Sequence, residues 1–245
     1  MNRGFYTAAQ AMINQQRVID AISNNVTNVN TAGYKKDEIT LKTFREELFL
    51  INSRTETDGK YLQTCVDTSK TNLEQGAFEY TESRFDCGIY GNVYFNVKDA
   101  TGNIYQTRNG QFTLDDEGYL CLGTTGRVQG ENGDILLGSD DFVISEDGTI
   151  TNDSGVVDKL SLTYIPAGAD VEKLGDSLYL YDGAETLPAD ENYVIVQGAY
   201  EKSNVDSVKE TTQAIEAQRM YEANSKILQY FDKINSSAAN SLAEI

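Results

Sequence analysis

The chain has 245 residues, of which 20 are basic and 38 acidic, so its formal charge is −18. A charge this negative argues against sequence-independent binding to nucleic acid, because phosphates would be repelled. Histidine is absent, which removes the commonest general base, the commonest zinc ligand and every Ser-His or Cys-His nucleophile pair. We therefore expect a protein that is not an enzyme, with no catalytic residue, no bound metal, no cofactor and no nucleic-acid partner.

A helix is predicted near the N-terminus, over about residues 4–28. Its seam positions alternate steps of three and four, the a/d spacing of a coiled coil. The row consists of Phe5, Ala8, Met12, Gln15, Ile19, Ile22, Val26 and Val29. Polar residues interrupt this segment as they would not in a secretory signal, and no apolar run approaches the ~20 residues needed to cross a bilayer. We expect a protein that is not membrane-embedded and whose export, if it occurs, uses no cleavable signal.

Asparagines cluster at the end of this helix, at positions 24, 25, 28 and 30 of the segment SNNVTNVNTAGYKK (23–36). Asparagine is a poor helix former, so its presence has a local cost that something must offset. Helix termination through bonds to nearby backbone groups suits Asn28 and Asn30. Asn24 and Asn25 lie earlier in the helix, where side-chain amides that donate and accept across a helix–helix interface fit better.

The centre of the chain differs in composition from both ends. Of the 20 glycines, 18 lie between Gly59 and Gly198, and residues 46–200 carry a charge of −19 against +3 for 1–45 and −2 for 201–245. Residues 36–75 are polar and mixed, which predicts an extended linker or arm with a short helix near 44–51. Beyond it, short apolar runs such as Val93–Val97 and Ile135–Leu137 alternate with glycine turns such as Glu117-Gly118 and Asp147-Gly148 at intervals of about 8–12 residues, which predicts an antiparallel sandwich, barrel or irregular β-domain.

Candidate chemistry in this centre is weak. The acidic pairs Asp115-Asp116 and Asp140-Asp141 could serve glycoside hydrolysis, but they adjoin glycine turns where solvated aspartate is expected. No calcium-loop, Walker, G-x-G-x-x-G or G-x-S-x-G pattern occurs. The cysteines, Cys65, Cys87 and Cys121, are an odd number without CxxC spacing, so we expect small apolar side chains, with one disulfide left open.

A second, longer helix is predicted from about Ser207 to Ala243, a stretch without glycine or proline. Its capping candidates are Ser203, Asp206 and Ser207. Its apolar face includes Val208, Ile215, Leu228, Phe231, Ala238 and Leu242. Residues 216–226 are poorer in apolar side chains, so the partner surface there must be partly polar. The simplest arrangement packs the two terminal helices on each other, with copies from other subunits as further partners.

At these residues the sequence strongly resembles the bacterial flagellar rod and hook family of axial proteins. The N-terminal signature of that family is similar to SNNVTNVNTAGYKK (23–36), and its C-terminal signature to QGAYEKSNVD (197–206) and IEAQRMYEANSKI (215–227). The central family pattern is similar to the segment from Gly76 to Val97 and to TRNGQF (107–112) followed by DEGYL (116–120). The resemblance follows the family's order along almost the whole chain, and the length suits either the distal-rod type or the larger proximal-rod type.

The resemblance implies an α+β fold in three parts. The N- and C-terminal helices would pack together as a discontinuous coiled-coil domain (1–35 plus 203–245), joined by an extended linker or arm (36–75) to a mainly antiparallel β outer domain (76–202). The assembly interface would comprise Met12, Ile19, Ile22, Asn24, Asn25, Val26, Asn28, Gly33, Tyr34, Ser203, Asn204, Val205, Ile215, Gln218, Arg219, Tyr221, Asn224, Leu228 and Phe231.

The implied function is that of a structural subunit of the flagellar basal-body rod. Subunits would leave through the flagellar type III export apparatus and polymerise through their terminal helices, with copies of themselves and with other rod and hook proteins. The product would be a helical tube in the basal body, outside the cytoplasmic membrane, that transmits torque from motor to hook. The alternative is an extracellular acidic β-domain that binds carbohydrate or calcium, with helices for oligomerisation.

Overall fold

The computed structural model of the protein describes residues 3–43, 64–153, 155–166, 168–175, 177–181 and 193–243. These residues form two long helices and eighteen short strands, an α+β fold with a mainly antiparallel β centre. The short helix expected near 44–51 lies outside the described residues, as do the side chains of Cys65, Ala238 and Leu242.

Both helices end close to where the sequence predicts. Helix α1 spans Arg3–Thr27 and helix α2 spans Ser207–Ala243. Asp206 caps α2, because its Oδ1 accepts the N–H groups of Val208 at 3.0 Å and Lys209 at 3.2 Å. These are donors that the first turn of a helix leaves without partners. Within the described residues neither helix combines the length and the apolar character that a membrane span requires.

The strands are short, and glycine turns separate several of them. They are β1 Asp37–Thr43, β2 Thr64–Thr71, β3 Phe78–Tyr80, β4 Cys87–Tyr90, β5 Val93–Lys98, β6 Ile104–Thr107, β7 Thr113–Leu114, β8 Leu120–Leu122, β9 Gly126–Gly130, β10 Gly133–Asp134, β11 Phe142–Ile144, β12 Thr149–Asn152, β13 Gly155–Lys159, β14 Leu162–Tyr164, β15 Glu172–Gly175, β16 Leu178–Leu180, β17 Val194–Gln197 and β18 Ala199–Glu201. The strand expected at Ile135–Leu137 is wrong: Leu136 forms only an isolated bridge with Tyr119.

One compact unit contains Met1–Thr27, Asp37–Lys70 and Asp206–Ile245. In it α1 and α2 pack on each other, β1 contacts α1, and β1 pairs with β2 as a two-stranded sheet. The two ends of the chain therefore share one unit although most of the sequence lies between them. We call this the helical unit.

The other compact unit contains Asn28–Lys36 and Thr71–Val205, and we call it the β unit. Its largest sheet has nine strands, in the order β15-β16-β6-β5-β9-β8-β7, with β14 also paired to β5 and β10 to β9. A three-stranded sheet, β11-β12-β13, and the pairs β17-β4 and β18-β3 complete the strands described in this unit. The pairings are antiparallel, as the sequence predicts.

Strand β5 is buried on both faces and separates two apolar cores of the β unit. Phe95 belongs to the larger core, whereas Tyr94, the residue before it, belongs to a smaller core with Ile165 and Tyr179. Successive side chains of a strand point to opposite faces, which is why neighbouring residues enter different cores. The smaller core is where the N-terminal segment 28–36 of this unit is anchored.

Candidate assembly interface

Helices α1 and α2 run antiparallel in the helical unit. The ring of Phe231 lies against Gly4, where an added Cβ would meet ring atom Cζ at 2.6 Å. Gln15 Nε2 lies 3.7 Å from the sulfur of Met220, and Asn25 Nδ2 lies 3.2 Å from Glu210 Oε2. Residues that lie later in α1 contact residues that lie correspondingly earlier in α2. The N-terminal end of one helix therefore lies beside the C-terminal half of the other.

On α2 the positions turned inward repeat with alternating steps of four and three. They are buried or half-buried, and they are Glu210, Ala214, Ala217, Tyr221, Asn224, Leu228 and Phe231. Of the predicted interface residues of α2, four lie in this row, whereas Ile215, Gln218 and Arg219 are exposed. On α1, Ile22 is buried at 6% exposure, and Met12, Ile19 and Val26 are half-buried.

Asn25 is buried, and its side chain bonds within this chain. Its Oδ1 accepts the N–H of Asp37 at 3.0 Å, while its Nδ2 donates to the carbonyl of Asp37 at 3.0 Å and to Glu210 Oε2 at 3.2 Å. An amide that pairs with both backbone groups of one residue ties the start of β1 to the helices. The neighbouring Asn24 is exposed.

Asn28 begins the stretch in which the chain leaves the helix. Its Oδ1 accepts a bond from the hydroxyl of Thr31 at 3.2 Å, and its carbonyl accepts the N–H of Thr31 at 3.2 Å. These are the local bonds with which asparagine competes against helix continuation. Asn28 thus makes the local bonds expected of a residue at which a helix ends, directly after Thr27.

Glu201 gathers two cations from distant parts of the β unit. Its Oε1 lies 2.5 Å from Lys35 Nζ, and its Oε2 lies 3.0 Å from a terminal nitrogen of Arg108. The same Oε1 accepts the N–H of Gly76 at 2.8 Å. All three charged side chains are at most 2% exposed. One buried carboxylate thus serves two buried cations, which leaves the cluster with a net positive charge.

Backbone bonds and aromatic rings hold the rest of segment 28–36. The N–H of Gly33 donates to the carbonyl of Glu201 at 2.7 Å. The buried hydroxyl of Tyr179 donates to the carbonyl of Gly33 at 3.2 Å and accepts the N–H of Lys35 at 3.1 Å. Tyr34 is buried, and Lys173 Nζ lies 3.7 Å from its ring centroid. Gly33 has a φ of +66° and lies so close to Asn109 that a Cβ would come within 2.2 Å of its backbone nitrogen, so only glycine fits.

Asn204 joins the two ends of the β unit. Its Oδ1 accepts the N–H of Lys36 at 2.8 Å, and its Nδ2 donates to the carbonyls of Asn72 at 2.9 Å and Glu74 at 3.0 Å. Of its predicted companions at the interface, Val205 is buried and Ser203 is half-buried.

Burial dominates the electrostatics of the cluster. It lowers the pKa of Lys35, the Glu201 carboxylate opposes that effect, and the Arg108 charge adds to the lowering. Burial also raises the pKa of the Tyr94 hydroxyl. Arg108 Cζ lies 4.5 Å from the centroid of the Tyr94 ring, and its guanidinium donates to the carbonyls of Ile89 and Gly91.

The sequence alone does not distinguish Lys35, Arg108 or Glu201 as functional residues, although each lies inside a segment similar to a family signature. A usable signal existed for Glu201: the alternation of β18 places it on the same face as Ala199, which is fully buried. A charged residue at an inward strand position requires a partner of opposite charge. Nothing in the sequence shows that this partner is Lys35, which lies far away along the chain.

Asp115, of the first acidic pair, and the described cysteines have structural roles. The carboxylate of Asp115 accepts the N–H groups of Glu117 at 3.0 Å and Tyr119 at 2.8 Å, as expected of a turn aspartate. Cys87 and Cys121 are buried thiols without a disulfide, and burial raises the pKa of each. Among the described residues no group of three histidine, cysteine, aspartate or glutamate side chains could hold a metal ion.

Three family models match the chain in the order expected for an axial protein. The flagellar basal body rod protein model matches residues 5–35, the flagellar hook protein FlgE/F/G D1 domain model matches 88–152, and the flagellar basal body rod FlgEFG C-terminal model matches 196–242. The first and last include Lys35 and Glu201, and the second includes Arg108. The three charges of the buried cluster therefore come from three separate family segments.

Relatives match over nearly their full length. The flagellar basal-body rod protein FlgG of Bacillus subtilis is 31% identical over 96% of this chain and 97% of its own. The FlgG protein of Caulobacter vibrioides is 30% identical over 93% and 95%, and the rod protein FlgF of the same organism is 28% identical over the whole of both chains. The chain thus belongs to the family of flagellar basal-body rod proteins, as a structural subunit of the rod in the basal body of the bacterial flagellum.

Proposed function

We propose that the chain polymerises through its terminal helices, with copies of itself and with other rod and hook proteins, into a helical tube that transmits torque from motor to hook. The observation that carries the proposal is a row of exposed apolar side chains on α2. These side chains lie outside the inward positions of α2 described above, and each is at least 44% exposed. They are Val208, Ile215, Ile227, Tyr230 and Ile234. Apolar side chains grouped on one helix face are typical of a surface that another protein covers.

The composition of the inward row supports this proposal. Asn25 and Glu210 lie among the buried side chains of the helical unit, and Asn14 is buried as well. Polar residues in a helix seam lower its stability while fixing register, so two helices joined by such a seam gain from further helices around them. The inward spacing of four and three on α2 supports antiparallel coiled-coil packing of α1 against α2.

A tube follows from the kind of contact that such a surface makes. A row on α2 that meets a different surface of the next copy is a heterologous contact, and repeated heterologous contacts that do not close produce a helix. In this assembly residues 36–75 form an arm between neighbours, and residues 76–202 lie on the outside. Monomers that pass the type III export apparatus with incompletely packed terminal helices would complete their folding as they assemble. No step of this function makes or breaks a covalent bond, so we propose no enzymatic activity.

The test compares two valines of nearly equal exposure. Val208, on α2, is 77% exposed and Val156, on β13, is 72% exposed. Val208→Asp places a charge in the proposed contact, yet an acidic residue suits the first turn of a helix, so α2 should remain folded. Val156→Asp is the same chemical change on a β strand.

We expect cells that carry Val208→Asp to lose swimming and to yield basal bodies whose rod lacks this subunit, while Val156→Asp cells swim and assemble rods. Circular dichroism of the purified monomer should show equal helix content for both variants. Ile215→Asp should reproduce the Val208→Asp result. Rods that incorporate both Val208→Asp and Ile215→Asp subunits as the unmodified chain would refute polymerisation through this face.

A further inference from the structure

We propose that Glu201 acts as an ion lock that makes the docking of segment 28–36 onto the β unit conditional on β18. The lock consists of the carboxylate of Glu201 and the two cations, Lys35 and Arg108, that share it. Lys35 belongs to the docking segment, Arg108 follows β6, and Glu201 ends β18. All three residues lie in the β unit, so the lock does not depend on how the protein polymerises.

The buried cluster is partly balanced by a single carboxylate. Lys35 and Glu201 have side chains that are 0% and 1% exposed, and Arg108 is 2% exposed. Two cations and one anion give the buried cluster a net charge of one. Without the carboxylate, docking would place two positive charges next to each other in the interior, where a charge that lacks its counter-ion is strongly destabilising.

The hydrogen bonds of the Lys35 ammonium lead away from its own segment. Lys35 Nζ donates only to Glu201 Oε1 and, at 2.7 Å, to the carbonyl of Glu74 among the hydrogen bonds seen for the described residues. Both acceptors lie outside segment 28–36. The segment has no carboxylate of its own, so its docking buries this charge against the carboxylate that β18 presents.

Backbone hydrogen bonds also join segment 28–36 to β18. The N–H of Gly33 donates to the carbonyl of Glu201, and Lys202 donates its N–H to the carbonyl of Ala77, which holds β18 beside β3. The carboxylate of Glu201 therefore binds the ammonium of Lys35, and its backbone carbonyl binds the N–H of Gly33. Loss of the carboxylate should release Gly33 and Lys35 together, because both are fixed to the same point.

Glu201→Gln removes the charge and retains an amide oxygen that can still accept the N–H of Gly76. We expect the amide protons of Gly33 and Lys35 to exchange at least about a hundredfold faster than in the unmodified chain, while those of β5 and β6 keep their protection. The matched control is Glu79→Gln on β3, because Glu79 pairs with Lys202 at the surface, with both side chains 46% exposed. This control should leave both amides unchanged.

The double variant Lys35→Met/Glu201→Gln separates charge balance from the loss of bonds. It restores the net charge of the unmodified cluster, so the amide proton of Gly33 should regain most of its protection from exchange. This result is expected even if Glu201→Gln alone prevents the β unit from folding. Amides of Gly33 and Lys35 that stay protected in Glu201→Gln would overturn the lock. A double variant less protected at Gly33 than Glu201→Gln would do so too, because bonds and not charge would then hold the segment.

Discussion

Asn25 Nδ2 lies 3.2 Å from Glu210 Oε2, and this buried bond joins the last turns of α1 to the first turn of α2. The amide also pairs with both backbone groups of Asp37. Three parts of the helical unit therefore meet at one side chain. An amide suits this place because it must donate to a carboxylate and to a carbonyl while accepting from an N–H.

Replacing Asn25 by aspartate should destabilise the helical unit. The new carboxylate faces Glu210 and the carbonyl of Asp37 without a proton to donate, a loss of about 3 kcal/mol. Urea denaturation followed by the circular dichroism of the helices measures this. Asn24→Asp, one residue earlier and exposed, adds the same charge and should change the free energy of unfolding by less than about 0.5 kcal/mol. Equal effects at the two positions would show that the Asn25 bonds contribute nothing.

Gly33→Ala should disrupt the docking of segment 28–36. The left-handed φ of +66° alone costs an alanine about 1–2 kcal/mol, and its Cβ would approach the backbone nitrogen of Asn109 to 2.2 Å. We expect a loss above about 3 kcal/mol in the unfolding of the β unit. Gly102→Ala isolates the first contribution, because Gly102 has a φ of +91° with open space around it. If both variants lose the same stability, the close approach at Gly33 is unimportant.

Periodicity and turn chemistry were sufficient to predict both long helices and the antiparallel β character of the centre, but not every strand. The bounds of both helices follow from spacing, the stop signals around Gly33 and the cap at Asp206. Successful turn predictions at Gly118 and Gly148 rest on glycines that have a φ of +86° in each case. These signals are local, so the sequence contains them within a few residues.

The partners of buried charges could not be predicted in this way. Lys35 follows a tyrosine near the end of a helix, and its sequence neighbours do not distinguish a solvated lysine from a buried one. Only the fold brings it to Glu201, which lies in the C-terminal part of the chain. The inward row of α2 shows the same limit, since Ile215 is apolar yet exposed, whereas the nearby Ala217 is buried.

Tyr179→Phe should weaken the same docking without a change in charge. The hydroxyl accepts the N–H of Lys35 and donates to the carbonyl of Gly33, so its removal leaves two buried backbone groups without this partner. We expect a loss of about 1–3 kcal/mol in the free energy of unfolding of the β unit. The control is Tyr193→Phe, because that hydroxyl donates to the carbonyl of Asp147 at the surface. A Tyr179→Phe protein as stable as the control would mean that water replaces the hydroxyl at no cost.

Lys35→Met should change how stability depends on pH. Burial lowers the pKa of Lys35 in the folded chain, so between that value and the unfolded value of about 10.4 the unfolded chain binds more protons at this site. Stability then rises with pH through this window because of Lys35. The advantage of the unmodified chain over Lys35→Met, measured by denaturation at a series of pH values, should therefore grow as the pH approaches the upper limit.

Lys202→Met provides a control of opposite sign. The hydrogen bond to Glu79 raises the pKa of Lys202 in the folded chain, so its contribution is complete below the unfolded pKa and is lost as the pH rises through the folded one. The advantage of the unmodified chain over Lys202→Met should accordingly shrink at alkaline pH. Parallel curves for the two variants would contradict the electrostatics of the buried cluster, since titrations common to the whole protein would then account for both.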